Sequence, residues 1–384
     1  MSPFGKDIRN RWLLEEDLHF LNHGSFGACP RDVLVAQSEW RSKMETQLVK
    51  FFTVEAPEGL KRAKKMLSEF IGATDDNVVF VENATSGINA VVRSWMPTFR
   101  TGDELLTTSH VYGAMRQTLH YAADVMGATV VEATVPFPIS SQDEVVEAVR
   151  KAITPKTKFA IIDHVTSPTG LVYPIEKIIP LFKERNIPVM IDGAHAPGMV
   201  ELNVEKYGAD FYTGNCHKWM FAPKGCAFLW VAPEHQSKMH AHVTSHNYKQ
   251  GYHPEFDWIG TRDVTPFLAI IAAIGFVDEF GRKNVRSHNN ELVLTARKML
   301  ASKWGVTLPA PESMIGSLST IPVPGNIKGS DPLATTLHDT LRDKYRCELP
   351  VIIFGDKVHI RISGQIYNEM SDYDALAAAV KAII

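Results

Sequence analysis

The sequence predicts an α/β protein, a mostly parallel sheet covered by helices on both faces, followed by a smaller α+β unit. Three observations carry this. Between residues 60 and 232, seven short β-rich apolar runs (78–81, 104–108, 129–135, 158–162, 188–192, 209–213 and 226–231) alternate with segments of helical periodicity such as 113–126, 143–152 and 175–185. After about residue 260 the texture changes to two long amphipathic helices (266–281 and 285–300), strands near 318–322, 348–354 and 358–362, and helices at 332–345 and 372–384. Finally, 384 residues with 45% hydrophobic and 22% charged content suffice for two globular domains sharing one large core, or one large domain with a smaller appendage. The division expected is an N-terminal arm at 1–20, a large domain at 21–260 and a small domain at 261–384, with the Gly/Pro-rich stretch 309–329 as a surface loop.

Composition narrows the function. A formal net charge of −3 gives no reason to expect nucleic acid or an anionic membrane as partner. Cys29, Cys216, Cys226 and Cys347 are scattered without a CxxC pair, which reads as free thiols in a reducing compartment. No histidines share the spacing of metal ligands on one element, so no metal is expected. The opening MSPFGKDIRNRW has no apolar stretch behind its charges, so no signal peptide is expected and the cytoplasm is the default location.

Open parallel sheets take ligands beyond the carboxyl ends of their strands. Four features fall there. Asp192, in Asp192-Gly193-Ala194-His195, ends a buried strand; it could hold a cationic ring nitrogen protonated or cap the next helix. Lys218, in Asn215-Cys216-His217-Lys218-Trp219, lies beside aromatic residues with no acid nearby, as suits a desolvated Schiff-base amine; a surface lysine is the plain alternative. Glu82-Asn83-Ala84-Thr85-Ser86-Gly87 joins a strand to a helix, a phosphate site by geometry and dipole or an ordinary N-cap. His110 and Tyr112 follow the 104–108 run, where either ring could lie on a bound ring or pack in the core. Each signal is modest alone, but their order along successive strand ends is what a ring bearing a phosphate and an aldehyde requires.

With these motifs the chain resembles class V aminotransferase proteins, fold type I of the pyridoxal-phosphate (PLP) enzymes, with a mostly parallel, mixed seven-stranded sheet. Leu21-Asn22-His23-Gly24-Ser25-Phe26-Gly27, Gly214-Asn215-Cys216-His217-Lys218-Trp219 and Trp258-Ile259-Gly260-Thr261-Arg262-Asp263 are similar to the isopenicillin N epimerase-like branch. The resemblance implies that Lys218 carries PLP as an aldimine and moves protons at the substrate Cα. It implies that Asp192 holds the pyridine nitrogen, His195 the phenolic oxygen, and Ala84, Thr85, Asn215 and His217 the phosphate. Thr261 would reach the phosphate of a neighbouring subunit in a homodimer with shared sites. Tyr112, followed by the small Ala114, is favoured over His110 for stacking on the ring, and Ser167 stands where relatives often place Asn. Arg361 would grip the substrate carboxylate, and Asn22 and His23 would line the substrate side.

These residues imply an enzyme acting at Cα of an amino-acid-type substrate, epimerase-like. C–S elimination and transamination are alternatives, and a binding protein that has lost catalysis is the non-enzyme alternative. A cysteine desulfurase needs a thiol on a mobile loop. Cys347, 14 residues before Arg361, stands near that place but reads as the entry to a strand.

Overall fold

The computed structural model describes residues 4–325 and 327–384; residues 1–3 of the arm and residue 326 of the 309–329 stretch lie outside the described residues. Among the described residues twelve strands are formed: β1 (His19–Phe20), β2 (Val78–Val81), β3 (Glu104–Thr108), β4 (Thr129–Ala133), β5 (Thr157–Asp163), β6 (Val189–Asp192), β7 (Phe211–Asn215), β8 (Ala227–Val231), β9 (Leu318–Pro322), β10 (Cys347–Glu348), β11 (Val351–Phe354) and β12 (Lys357–Ser363).

The large sheet has the order β2-β8-β7-β6-β5-β3-β4, with β8 antiparallel to both neighbours and the other pairs parallel. Every residue of β2, β6, β7 and β8 is buried, as expected of strands covered on both faces. The period-2 alternation sorts the side chains. Val79, Leu105, Ile161, Met190 and Leu229 pack with the helices Ala84–Trp95 and Gly113–Met126. Phe80, Leu106, Ile162, Ile191 and Phe228 join the opposite core, with the helices Gln142–Ala152 and Ile175–Lys183. Because six strands run the same way, the turns after β2, β3, β5, β6 and β7 open on one edge of the sheet.

A second, antiparallel sheet has the order β11-β12-β9. The parallel pairing of β1 with β10 ties the N-terminal segment to this part of the chain. Four expectations need correction. The strand expected near 348–354 is two, β10 and β11, in different sheets. The helix expected at 266–281 is two helices, Thr265–Leu268 and Ile270–Phe280, interrupted at Ala269. The helix expected at 285–300 runs over Arg282–Trp304, stopped by Gly305 in the left-handed conformation. The 309–329 stretch is a surface loop at its flanks alone: residues 314–321 are buried, because β9 lines the inner edge of β12. The arm, whose packing the sequence left open, docks through Trp12, which lies 1% exposed against Phe221, Phe276 and Tyr367.

Candidate active site

The converging turns enclose a cavity of about 330 Å³. One wall is the start of the helix Ala84–Trp95. Asn83 caps it, its Oδ1 accepting from Ser86 N–H at 2.9 Å. Ala84 N–H donates to Asn215 Oδ1 at 2.9 Å, and Gly87 N–H to the Asn83 carbonyl at 3.2 Å. Thr85 N–H is thus the first-turn amide left free to face an anion, at the positive end of a twelve-residue helix. Asn215 and His217 flank it from the end of β7; His217 Nδ1–H donates to the Cys226 carbonyl at 3.1 Å, which turns Nε2 outward.

Lys218 faces the cavity floor. Burial, then the charge of Arg361, lower its pKa to about 7 against the pull of Asp192. Its Nζ lies 3.1 Å from His195 Nε2. Trp219 Nε1–H points at His195 Nδ1 from 3.4 Å, which assigns the imidazole proton to Nε2. A proton on Nε2 can bond Nζ when the amine is neutral, so the donor pattern and the depressed lysine pKa agree. Burial, then Lys218, hold His195 well below the usual imidazole range.

Asp192 accepts from Ala194 N–H at 2.9 Å, and burial raises its pKa, with the Ala194 amide and Lys218 opposing. Tyr112 stands at the cavity mouth, 47% exposed. His110 does not reach the cavity: its Nδ1 meets Thr169 Oγ1 at 2.8 Å and its Nε2 the Val135 carbonyl at 3.1 Å, so it packs beneath the turn.

Arg361 lies just behind the lining, its Nη2 3.3 Å from Ser25 Oγ and its Nη1 3.3 Å from Ser167 Oγ and bonded to the Ser167 carbonyl. Nε has no partner, and among the described residues no carboxylate pairs with this buried guanidinium, whose pKa burial lowers to about 10. An unpaired buried cation is costly unless a ligand anion completes it.

Asn22 and His23 sit outside the cavity and act on it indirectly. Asn22 accepts from Ser25 Oγ and donates to Glu348 Oε1 at 3.0 Å. His23 is fully buried, bonded through Nδ1 to Tyr367 OH at 2.7 Å and through Nε2 to the Lys218 carbonyl at 3.0 Å. Gly27, at φ 70°, lies so close to the backbone of His217 and Lys218 that a Cβ there would stand 2.2 Å from the His217 carbonyl. The Asn22–Gly27 motif is therefore a brace for the lysine turn. Thr261 is exposed and lines no part of its own chain's cavity.

The sequence reasoning missed Asp163, which lines the cavity beside Asp192 at 2% exposure. A signal for it exists: Ile161-Ile162-Asp163 repeats the apolar-apolar-Asp ending of Met190-Ile191-Asp192.

The family model for aminotransferase class V matches residues 28–376. This chain belongs to the aminotransferase class-V family. It is 34% identical to a putative L-cysteine desulfhydrase of Oryza sativa subsp. japonica over 95% of this chain and 83% of the relative. It is 30% identical to isopenicillin N epimerase of Amycolatopsis lactamdurans over 98% of each chain. Among solved structures, the apo cysteine desulfurase of Thermococcus onnurineus NA1 superposes with a TM-score of 0.82 at 18% identity, covering 99% of this chain and 98% of that one. A C-DES variant with glycine covalently linked to its PLP cofactor superposes with a TM-score of 0.78 at 17% identity over 97% and 98%. These likenesses establish fold type I, and the class V family establishes a PLP-dependent enzyme of amino-acid chemistry.

The cavity fits that cofactor. It offers a free amide at a helix N-terminus for a phosphate, a depressed lysine for an aldehyde, and buried carboxyl groups, one with an unpartnered oxygen, for a ring nitrogen. None of the four cysteines is among the lining residues described.

Proposed function

We propose that the class V chain is a C–S lyase, expelling sulfur from Cβ of a small amino acid of the cysteine type, with Lys218 as covalent anchor of PLP and as base. PLP, when bound, supplies an electron sink that makes the Cα–H bond acidic. Arg361 takes the substrate carboxylate with its unused donors, the contacts to Ser25 and Ser167 fixing the guanidinium plane. Lys218 Nζ receives the Cα proton, and a pKa of about 7 leaves about half of the amine free for this at neutral pH. The Cβ–S electron pair leaves with sulfur, and water completes release of pyruvate and ammonia. Asp192 balances the charge of the ring nitrogen; His195 holds the lysine and the ring oxygen; Thr85, Asn215 and His217 hold the phosphate; Tyr112 covers the ring.

The observation that carries this reading is one lysine of depressed pKa facing a cavity of about 330 Å³ with an unpaired arginine behind its wall and no thiol in the lining described. A desulfurase would need such a thiol. Cys347 instead lies buried in β10, its Sγ 3.4 Å from the Tyr345 carbonyl, and burial raises its pKa to about 12. The similarity to desulfhydrases at 34% identity supports the same choice.

Epimerisation is the second reading, favoured by the near-full-length similarity to isopenicillin N epimerase; it shares the Cα proton step and differs in keeping Cβ intact. Incubation with L-cysteine, cysteine conjugates and other amino acids in deuterated water separates them. Pyruvate with a sulfur product supports elimination, whereas deuterium at Cα with loss of optical purity and no pyruvate overturns it.

The same reading takes 21–260 as the cofactor-binding body and 261–384 as the small domain of a cytoplasmic homodimer. Phe26 at 71% exposure and Tyr112 at 47%, both at the cavity mouth, and the exposed Thr261 suit cover by a partner, and four unpaired thiols suit a reducing compartment. Light scattering at micromolar concentration reads the oligomer directly.

A further inference from the structure

We propose that Asp163 is a protonated partner of Asp192, a second carboxyl group in the cofactor cleft that donates a hydrogen bond to the Asp192 carboxylate and keeps it the ionised member of the pair. This rests on the cleft being the PLP site.

The geometry comes from the sheet. β5 and β6 are parallel and in register at their last residues, Asp163 opposite Asp192. Register partners on neighbouring strands project side chains to the same face, and both carboxyl groups line the same cavity at 2% and 3% exposure. Asp192 accepts from Ala194 N–H through Oδ1, which leaves its second oxygen as an acceptor. Asp163 Oδ2 has no hydrogen-bond partner, and the Tyr173 hydroxyl buried near it is turned to Thr108.

A charge count then decides which group keeps a proton. Two buried carboxyl groups share one site. The cations near them are few: Lys218, whose burial favours the neutral amine, and Arg116, already bonded to Glu132 at 2.5 Å. A protonated ring nitrogen would balance one carboxylate. Nothing balances a second, so leaving both ionised would bury an uncompensated charge. The groups facing Asp163 agree: burial and the charge of Asp192 push its pKa well up, and its own amide, the Tyr112 amide and Arg116 only partly oppose this. Tyr173, held neutral by burial, adds no charge. Asp192 is the better candidate for ionisation because it has Ala194 N–H and Lys218 on its side. A neutral Asp163 thus supplies a hydrogen bond to the carboxylate on which the ring nitrogen depends.

Two measurements test this. In infrared difference spectra of wild type against Asp163→Asn, recorded on the apo and PLP-loaded protein, the substitution should remove a neutral-carboxyl band. Removal of ionised-carboxylate bands instead would overturn the proposal. In PLP titrations, Asp163→Asn, which keeps a neutral donor, should retain the wild-type dissociation constant within about threefold and the pH midpoint of the cofactor absorbance. Asp163→Leu, which removes the donor, should weaken PLP binding roughly tenfold and move that midpoint. A tenfold loss in Asp163→Asn, or an Asp163→Leu protein that binds and titrates like wild type, contradicts it. Should Asp163→Leu not fold, the infrared result and the Asn variant still decide. Borohydride fixation of PLP to Lys218 in wild type checks the placement of the cofactor separately, since the apo infrared signal does not depend on it.

Discussion

Two ends of one sheet bury carboxyl groups in opposite ways. At the edge where β5 and β6 finish, Asp163 and Asp192 are short of donors and burial drives both pKa values up. At the other edge, Asp210 stands just before β7 at 3% exposure and is saturated: Lys183 Nζ at 2.6 Å, His235 Nε2 at 2.7 Å and Val189 N–H at 2.8 Å all donate to it. Burial pushes Asp210 up as well, but those donors outweigh it and hold the group below the usual range. All three are at most 3% exposed, and burial pushes each of them up; the donors at Asp210 reverse the sign there. The saturated end belongs to stability. The unsaturated end leaves polar groups that a ligand can complete, as the proposed PLP site requires.

The sharpest way to separate the two ends is to remove one group from each. Lys218→Ala should lower turnover of the proposed substrate by roughly 10³-fold or more, since the proposed base and covalent anchor vanish together. Its melting temperature without PLP should not fall, because burying that amine opposes folding. Asp210→Asn should do the reverse: turnover per folded molecule unchanged within about twofold, and stability reduced by about 2 kcal/mol in urea titrations. That figure already allows for Lys183, whose side chain is 42% exposed and partly screened. A Lys218→Ala protein that keeps activity would end the assignment of the cleft; an Asp210→Asn protein as stable as wild type would end the contrast.

The contrast also fixes a pH dependence of opposite sign at the two edges. Asp210 has a folded pKa below its ordinary 3.8, so its contribution is fully present above that value and is lost as pH falls through the folded pKa. Asp163 has a folded pKa above its ordinary 3.8, so the cost of burying it is absent below that value and grows as pH rises toward the folded pKa. In apo protein, Asp210→Asn should flatten the acid limb of a stability profile below about pH 4. Asp163→Asn should stabilise on the neutral and alkaline side and leave the acid limb in place.

The sequence was most informative where local pattern and topology coincide. β2, β3 and β9 run as the sequence predicts, and Lys218 and Asp192 line one cavity because parallel strands place their ends together. Asp163 was lost to a boundary: the run read as 158–162 ends one residue before the carboxylate, whereas β5 runs to Asp163. His110 shows a different limit. Its spacing from β3 suits a ring-stacking residue, but the turn directs its imidazole to Val135 and Thr169, on segments 25 and 59 residues away, which no local pattern encodes. The same holds for His23 and Gly27, whose partners lie near Lys218, almost 200 residues on; a motif can be recognised without its bracing role being visible.

The smallest expected effect lies at Cys347, and it decides how sulfur leaves. A thiol that accepts sulfur from substrate must reach the Cβ–S bond as a thiolate. Cys347 meets neither condition: it is 1% exposed in β10, paired in register with His19, and burial raises its pKa to about 12, where the thiolate is scarce at neutral pH. Cys347→Ala should therefore change the rate of pyruvate and sulfide formation from L-cysteine by less than about twofold, while removal of the buried sulfur costs on the order of 1 kcal/mol in stability. Pyruvate is the informative product, because elimination yields it and transfer of sulfur to a thiol leaves alanine. If the alanine variant lost sulfur release a hundredfold while keeping PLP and the wild-type melting profile, β10 would have to open during turnover, and the buried strand seen here would be the resting form of a sulfur-accepting loop.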